Sequence, residues 1–285
     1  MFEQIAIVGV GLIGGSVALA VRNAWPSCKI TAIDRPAVVD AAMRLNAADR
    51  GGDDVALADG AQLILLAAPV RQNISLLTDL AARVRGRAVV TDVGSTKRAT
   101  VEAARHLPAR LRFVGGHPLA GASTGGIESA RSDLFRGRPW ILTPTADADA
   151  GDVERLRSLA SAVGALPRTM DPAAHDRLMA YLSHLPQLTV SALMEVVGER
   201  TGRDGLSLAG TGLRDTTRLA SSPAGTWRDV TATNVDAIVA AIDDLLVALQ
   251  RLKADLTDGQ ELQRVFESAA AWKRALDESE GSGNS

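Results

Sequence analysis

The sequence predicts an α/β fold: a doubly wound parallel sheet followed by an all-helical domain. Over the first half of the chain, short apolar runs alternate with amphipathic helical patterns, which favours parallel strands joined by right-handed crossovers. After residue 171 the patterns are helical, with hardly a strand. We therefore predict one domain at residues 1–171, a helical domain at 172–278 and a disordered tail at 279–285.

The elements of the first domain follow from these patterns. Strands are predicted at short apolar runs, namely Ile5–Val8, Ile30–Ile33, Leu63–Ala67, Ala88–Thr91, Phe113–Val114, Trp140–Thr143 and Pro167–Met170. Helices are predicted at amphipathic stretches, namely Ile13–Asn23, Ala37–Leu45, Asn73–Val84, Lys97–His106 and Asp152–Val163. Repeated strand–helix units of this kind form a sheet with helices on both faces.

The helical domain opens at Asp171-Pro172, a helix N-cap followed by a proline that fits the first turn. One long helical pattern covers Ala173–Glu199, and Pro186 should bend it because proline lacks a backbone N–H donor. A later heptad seam consists of Ile238, Ile242, Leu245, Leu249, Leu252 and Leu256. The seam fits either a helix facing its own core or a homodimer through the C-terminal helices, and we favour the dimer.

Composition excludes several classes of protein. Of the 285 residues, 46% are hydrophobic, so the chain can bury a core. The net charge is −2, so there is no excess of positive charge that would attract nucleic acid or a membrane. Aromatic residues make up only 3%, which disfavours stacking on bases. The chain has one cysteine, no transmembrane-length apolar run and no basic leader. We expect a cytoplasmic protein without a metal, because no histidines have metal-ligand spacing with a carboxylate.

A glycine-rich loop is the sharpest chemical signal in the sequence. Gly9, Gly11 and Gly14, with Leu12 and Ile13 between them, follow the first predicted strand and open a helix. Glycines there allow a tight turn, and a helix N-terminus attracts a pyrophosphate, as in Rossmann-type dinucleotide sites. The alternative is a tight turn without a ligand.

Further residues are predicted to line the cofactor. Asp34 ends the second strand, where a carboxylate accepts hydrogen bonds from a ribose 2′-hydroxyl and repels a 2′-phosphate, which favours NAD. The adjacent Arg35 leaves NADP open. Pro69, Val70 and Ser95 follow two other strands at the sheet edge where parallel sheets bind ligands. Ser95 also suits the N-cap of the next helix.

Histidines supply candidates for acid–base chemistry. His117 follows a strand in a loop rich in glycine and proline, where it can accept a proton near neutral pH. His184 and Gln187 are three residues apart and share one face of the long helix, where they meet either a ligand or the helical core. We expect only surface roles for His106 and His175.

An arginine-containing segment supplies a candidate anion site. Arg214 and Arg218 follow a glycine-punctuated turn that contains Thr211. The planar guanidinium of arginine suits a carboxylate. The alternative is a solvated turn in which both arginines pair with Asp215.

Taken together, these segments resemble the prephenate and arogenate dehydrogenases of tyrosine biosynthesis, the TyrA family. The matching segments, in family order over roughly residues 1–275, are Val8–Ser16, Thr91–Lys97, Val114–Gly121, Ser183–Pro186, Arg214–Arg218 and Trp227–Asp229. The Gly-Gly-His-Pro and Ser-His-Leu-Pro sequences are far more specific than the dinucleotide fingerprint. The resemblance implies an NAD-dependent oxidoreductase that removes a hydride from a cyclohexadienyl substrate and releases its ring carboxylate as carbon dioxide.

The resemblance also implies roles for single residues. His117 would take the proton of the ring hydroxyl, and Ser95 would orient His117 and contact the substrate hydroxyl or the nicotinamide. Arg218 would bind the ring carboxylate and His184 would line the pocket. Trp227 would close the pocket, from the same chain or from a partner subunit.

Two positions depart from the family pattern. Some prephenate-active members have histidine in place of Gln187, which faces the substrate side chain, and Thr211 interrupts a run of glycines in the pocket wall. We favour conversion of prephenate to 4-hydroxyphenylpyruvate. Arogenate, which gives tyrosine, and 4-amino-4-deoxyprephenate are alternative substrates. Remote alternatives are a β-hydroxyacid dehydrogenase or imine reductase and a non-catalytic dinucleotide sensor.

Overall fold

A computed structural model describes residues 1–122 and 124–281, with the side chains of 279–281 left out. The chain divides into two compact units, one covering Met1–Asn234 and a second beginning at Val235. Of the predicted disordered tail at 279–285, residues 282–285 lie outside the described residues, and the last helix continues to Gly281.

A six-stranded parallel sheet forms the centre of the first unit. Its strands are β1 (Gln4–Val8), β2 (Lys29–Ile33), β3 (Arg50–Gly52), β4 (Leu63–Leu66), β5 (Ala88–Asp92) and β6 (Leu111–Phe113). Their spatial order is β3-β2-β1-β4-β5-β6, with every pair parallel. The order reverses between β1 and β4, and ligands of such sheets bind at the carboxyl ends beside this point. The predicted doubly wound sheet is confirmed.

Burial on both faces explains why these strands read as continuous apolar runs. Helices connect the strands: α1 (Leu12–Ala24), α2 (Pro36–Arg44), α3 (Val70–Arg83) and α4 (Arg98–Ala104). Ile5 and Ile7 of β1 belong to one hydrophobic cluster, whereas Ala6 and Val8 belong to another. Because successive side chains of a strand point to opposite faces, each face of the sheet has its own core.

A second, three-stranded sheet follows: β7 (Gly115–Pro118), β8 (Pro139–Thr143) and β9 (Leu166–Thr169), with helix α5 (Ala150–Ala162) before β9. β7 is antiparallel to β8, and β8 is parallel to β9. The strand predicted at Phe113–Val114 corresponds to β6, which ends at Phe113. The loop predicted around His117 is wrong, because the chain leaves the parallel sheet after β6 and pairs with β8 as β7. A side chain at Gly115 would come within 2.3 Å of the Thr143 hydroxyl, and one at Gly116 within 2.6 Å of the Asp92 carbonyl oxygen. Glycine thus allows β7 to lie against β5 and β8.

The rest of the first unit is helical. It contains α6 (Pro172–Met179), a π-helical turn (Ala180–His184), α7 (Leu185–Ser207), α8 (Thr211–Thr216) and α9 (Ala224–Thr233). Asp171 caps α6 as predicted, accepting hydrogen bonds from the N–H groups of Ala173 and Ala174. The single helix predicted at Ala173–Glu199 is interrupted by the π-turn just before Pro186. The wider turn accommodates the backbone hydrogen bond that proline cannot make.

The second unit contains α10 (Val235–Ala254) and α11 (Gln260–Gly281). In the predicted heptad seam, Ile238 of α10 is buried and Leu249 of α10 is exposed, while the exposed Leu256 lies beyond the end of this helix. Among the described residues, no helix combines the length and apolar character needed to cross a membrane.

Candidate active site

The glycine-rich loop has the shape of a dinucleotide cradle. Gly9 has a φ of +90°, and a Cβ there would lie 2.7 Å from the backbone of Ala67. A Cβ on Gly14 would lie 2.1 Å from the carbonyl oxygen of Gly9, so both positions require glycine. At Gly11 a Cβ would meet nothing within 4 Å. None of the described side chains caps the N-terminus of α1, so its N–H groups are available to an anion.

A cavity of about 540 Å³ adjoins this loop and is lined in part by Gly9, Gly11, Asp34, Arg35 and Pro69. One carboxylate oxygen of Asp34 accepts a hydrogen bond from the Val10 N–H at 2.8 Å, which ties β2 to the glycine loop. The other accepts from the Arg35 N–H at 2.7 Å. The exposed Arg35 guanidinium lies 3.9 Å from the same oxygen. Leu12 and Ile13 are half-buried, and Val70 is buried at the start of α3.

His117 lies on β7 and is the first member of a chain of three side chains. Its Nδ1 is 2.9 Å from Nε2 of His175, and Nδ1 of His175 is 2.8 Å from Oδ1 of Asp176. The two α6 residues are fully buried, whereas His117 is half-buried. The expectation that His175 has only a surface role is wrong, because its side chain is fully buried and contacts the His117 ring.

Asp176 also determines how α4 begins. Its two oxygens accept hydrogen bonds from the backbone N–H groups of Lys97 at 2.7 Å and Arg98 at 2.9 Å. Lys97 is the N-cap residue of α4, and no described side chain within the helix caps it. The suggestion that Ser95 caps this helix is therefore wrong: a carboxylate from α6 does so. Ser95 is half-buried between β5 and α4.

A buried ion pair fixes the backbone beside His117. The Lys97 ammonium donates to the Asp92 carboxylate and, at 2.7 Å, to the carbonyl oxygen of Gly116, and neither charged side chain is exposed. The Gly116 N–H donates to the other Asp92 oxygen at 3.1 Å. Burial lowers the pKa of the Lys97 ammonium, an effect that Asp92 opposes. The residue preceding His117 is thus held at both its N–H and its carbonyl group.

His184 and Trp227 form an aromatic wall in the first unit. His184 is 1% exposed, and its ring is edge-on to the half-buried Trp227 ring, with centroids 6.1 Å apart. The side-chain amide of Asn234 lies 3.3 Å from Nδ1 of His184 and donates to the backbone carbonyl of Asp176 at 2.8 Å. Trp227 thus meets His184 within one chain.

Electrostatics keep these histidines neutral. Burial lowers the pKa of His117 well below its usual 6.5, and His175, Lys97 and His184 lower it further. Burial also lowers the pKa of His184 to about 4, although the charge of Asp176 opposes this and His175 adds to it. At neutral pH the ring of His117 is therefore an unprotonated base.

Gln187 supports the segment that carries Arg218. It is 4% exposed, and its amide donates to the carbonyl of Leu219 at 2.8 Å and accepts from the hydroxyl of Ser222 at 3.0 Å. Arg218 is exposed, and among the described residues no carboxylate lies within ion-pair distance of it. The exposed Thr211 begins α8. Within the part of the chain that the structure describes, no hydrogen bond connects Thr211 or Arg218 to His117.

Helix α9 lies across the carboxyl ends of β4 and β5. Near its centre, Asp229 accepts a hydrogen bond from the Arg71 N–H in the first turn of α3, at 3.0 Å. At its end, the hydroxyl of Thr233 lies 2.6 Å from that of Thr96. These contacts place Trp227, two residues before Asp229, at the edge of the sheet where a cofactor binds.

Comparison with known proteins assigns the family. A family model described as "Prephenate dehydrogenase, nucleotide-binding domain" matches residues 17–167, and one described as "Prephenate dehydrogenase, dimerization domain" matches residues 171–268. The chain belongs to the prephenate dehydrogenase family. Prephenate dehydrogenase of Bacillus subtilis (strain 168) is 34% identical over 97% of this chain and 76% of its own length. Cyclohexadienyl dehydrogenase of Zymomonas mobilis is 30% identical over 97% of both chains.

Solved structures of family members share the fold. Prephenate dehydrogenase from A. aeolicus, in complex with hydroxyphenyl propionate and NAD+, superposes with a TM-score of 0.90 at 28% identity, covering 97% of this chain and 99% of that one. Synechocystis arogenate dehydrogenase has a TM-score of 0.84 at 29% identity, covering 96% and 99%. The family resemblance found in the sequence is confirmed.

Sequence reasoning missed His175 and Asp176. They are adjacent residues early in the helix that Asp171 caps, and nothing in that local sequence marks them as functional. The contact of His175 with His117 joins residues 58 positions apart. Only the tertiary fold reveals that contact.

Proposed function

We propose that this chain is an NAD-dependent dehydrogenase that converts prephenate, with loss of carbon dioxide, to 4-hydroxyphenylpyruvate. The observation that carries the proposal is a neutral, half-buried histidine at the edge of the sheet, with Nδ1 held by His175 and Nε2 left for a ligand. A hydroxyl-bearing substrate needs a base of this kind. The family and its named relatives support the choice of substrate.

The residues of the cleft fit a dinucleotide. Gly9 and Gly14 exclude side chains, Gly11 faces open space, and the N-terminus of α1 offers N–H groups to a pyrophosphate. Asp34 stands at the end of β2, where a carboxylate favours NAD over NADP. The Arg35 guanidinium lies near Asp34, which makes it a weaker partner for a 2′-phosphate. We expect Asp34→Ala to reduce the preference for NAD, measured as the ratio of kcat/KM with the two cofactors.

Each candidate side chain then has its own role in the reaction. His117 takes the proton of the ring hydroxyl at Nε2 as the carbon that bears it is oxidised. NAD, when bound, accepts the hydride from that carbon. Arg218 binds the ring carboxylate. When this carboxylate leaves as carbon dioxide, the electron pair of the broken C–C bond makes the ring aromatic, and the ring oxygen takes back the proton that His117 holds at Nε2 to become the phenol hydroxyl. Trp227 and His184 shield the ring from water, and Ser95 contacts the substrate hydroxyl or the nicotinamide.

Arogenate is the second candidate substrate. One solved structure of similar fold is an arogenate dehydrogenase, and another relative is named for cyclohexadienyl substrates. Gln187 is the residue that bears on this choice, since its buried amide holds the segment of Arg218. A neutral amide places no charge opposite the keto group of prephenate or the amino group of arogenate.

We also propose a homodimer formed through the C-terminal helices, with the domain boundary near residue 171. The second unit exposes large apolar side chains on both helices, among them Val239, Leu249, Phe266 and Trp272. Surfaces of this kind mark interfaces in soluble proteins. The family model for residues 171–268 is described as a dimerization domain, which supports this proposal. Light scattering at several protein concentrations should give twice the chain mass.

The test of the function is a comparison of substrates. Purified protein and NAD are mixed with prephenate or arogenate, and NADH is followed by absorbance while the product is identified by mass spectrometry. We expect kcat/KM to be higher with prephenate, and the product to be 4-hydroxyphenylpyruvate. A higher value with arogenate would replace the first substrate by the second. Absence of turnover with both, despite NAD binding, would refute the proposal.

A further inference from the structure

The chemistry of the three side chains determines which group donates and which accepts in the hydrogen bonds from Asp176 through His175 to His117. Asp176 is fully buried and its oxygens face donors: the N–H groups of Lys97 and Arg98, and the ring of His175. A carboxylate bound in this way acts as an acceptor. Nδ1 of His175 therefore carries a hydrogen, because an unprotonated nitrogen 2.8 Å from a carboxylate oxygen would bring two lone pairs together.

The tautomer of His175 in turn determines the tautomer of His117. A neutral imidazole with hydrogen on Nδ1 has its lone pair on Nε2. Nε2 of His175 then accepts, and Nδ1 of His117 donates across the 2.9 Å between them. His117 is left with a hydrogen on Nδ1 and a free lone pair on Nε2. Had His175 been doubly protonated, it would donate instead and His117 would lose its basic Nε2.

We propose that His175 and Asp176 are positioning residues that hold His117 in the Nδ1–H tautomer, which leaves the lone pair of its Nε2 free for the substrate. This inference rests on the proposed function. When the substrate O–H bond breaks, its proton goes to Nε2 of His117, its electron pair forms the ring carbonyl, and the hydride leaves the same carbon for the nicotinamide. The Nδ1 proton is then shared with His175, whose own Nδ1–H faces the Asp176 carboxylate.

The surrounding charges are consistent with this arrangement. The groups that face the three side chains are Lys97 and Arg98 at the start of α4, Asp92 on β5 and His184 in the π-turn. Lys97 is paired with Asp92 and donates to the Gly116 carbonyl, so it fixes the backbone next to His117. The hydrogen-bond partner of the His117 ring is His175. The Arg98 guanidinium lies 3.6 Å from Asp176.

Two substitutions of His175 separate hydrogen bonding from packing. In His175→Gln the side-chain oxygen can still accept from Nδ1 of His117, whereas in His175→Leu no acceptor remains. We expect His175→Leu to lose kcat by about 10²-fold, within the 10²–10⁴-fold that a general base contributes, and His175→Gln to recover at least about tenfold of that loss. KM for prephenate and Kd for NAD should change by less than about threefold in both.

The decisive readout is the tautomer of His117, from ¹⁵N NMR of the imidazole nitrogens, assigned with a His117→Gln variant. The wild type and His175→Gln should carry hydrogen on Nδ1, and His175→Leu should show a population with hydrogen on Nε2. His106→Leu, at an exposed site, is the matched control and should change neither rate nor tautomer.

Two results would overturn the proposal that His175 and Asp176 position His117. One is wild-type protein with hydrogen on Nε2 of His117, and the other is a His175→Leu variant with wild-type kcat. If His175→Leu fails to fold, the wild-type and His175→Gln spectra still decide the tautomer. Failure of the proposed function appears separately, as wild-type protein that turns over neither prephenate nor arogenate while its His117 tautomer is as expected.

Discussion

Acidification should destabilise the protein through His184. This side chain is 1% exposed, and burial lowers its pKa from 6.5 to about 4 in the folded chain. In the unfolded chain its pKa returns to about 6.5. Between these values the unfolded state binds a proton that the folded state does not, so the free energy of unfolding falls as the pH falls. At about 1.4 kcal/mol per pKa unit, the loss is about 3 kcal/mol, complete near pH 4.

The assay is urea unfolding at several pH values between about 7.5 and about 4, for wild type, His184→Gln and the exposed-site control His106→Gln. Protein concentration is held constant because association raises apparent stability. The unfolding free energy of the wild type should fall by about 3 kcal/mol more than that of His184→Gln on acidification. Wild type and His106→Gln should differ equally at every pH. A constant difference between wild type and His184→Gln would show that His184 protonates without penalty in the folded state, and would contradict this prediction.

Three further predictions concern the site. Because the pKa of His117 lies well below 6.5, kcat/KM with saturating NAD should stay level as the pH is lowered to about 6, and an acid limb centred at or above 6.5 would contradict this. Lys97→Met leaves the Asp92 carboxylate buried without its partner and should lower the unfolding free energy by about 3–5 kcal/mol. Adding Asp92→Asn to this variant should restore part of the lost stability. Calorimetry that shows wild-type stability for Lys97→Met would count against this prediction. Arg218→Ala should raise KM for prephenate at least about tenfold with NAD affinity unchanged, and an unaltered KM would place the carboxylate clamp elsewhere.

The parts of the structure that local patterns determine were predictable. Strands buried on both faces appear as continuous apolar runs, and the glycine loop with Asp34 beyond it is a local signature of a dinucleotide site. Asp171-Pro172 marked the start of α6 because capping involves only neighbouring residues. The position of Ser95 after β5 followed in the same way.

The parts that depend on distant contacts were not predictable. Ser95 fits an N-cap by its neighbours, yet Asp176, 79 residues beyond Lys97, takes that place. His175 looked like a surface histidine because nothing in its own helix shows that it is buried in contact with His117. The glycines at 115 and 116 indicated a loop that other groups can approach closely, but not that residues 115–118 form a strand against β5 and β8. Each of these features depends on a contact between residues that are distant in the sequence.

The most direct test of the central claim compares wild type with His117→Ala in the oxidation of prephenate, with NAD binding measured on the same samples. We expect NADH formation by the wild type and a loss of kcat of about 10²–10⁴-fold in the variant, because the base is gone while the glycine cradle and Asp34 still bind NAD. Equal kcat in the two proteins would show that His117 is not the base.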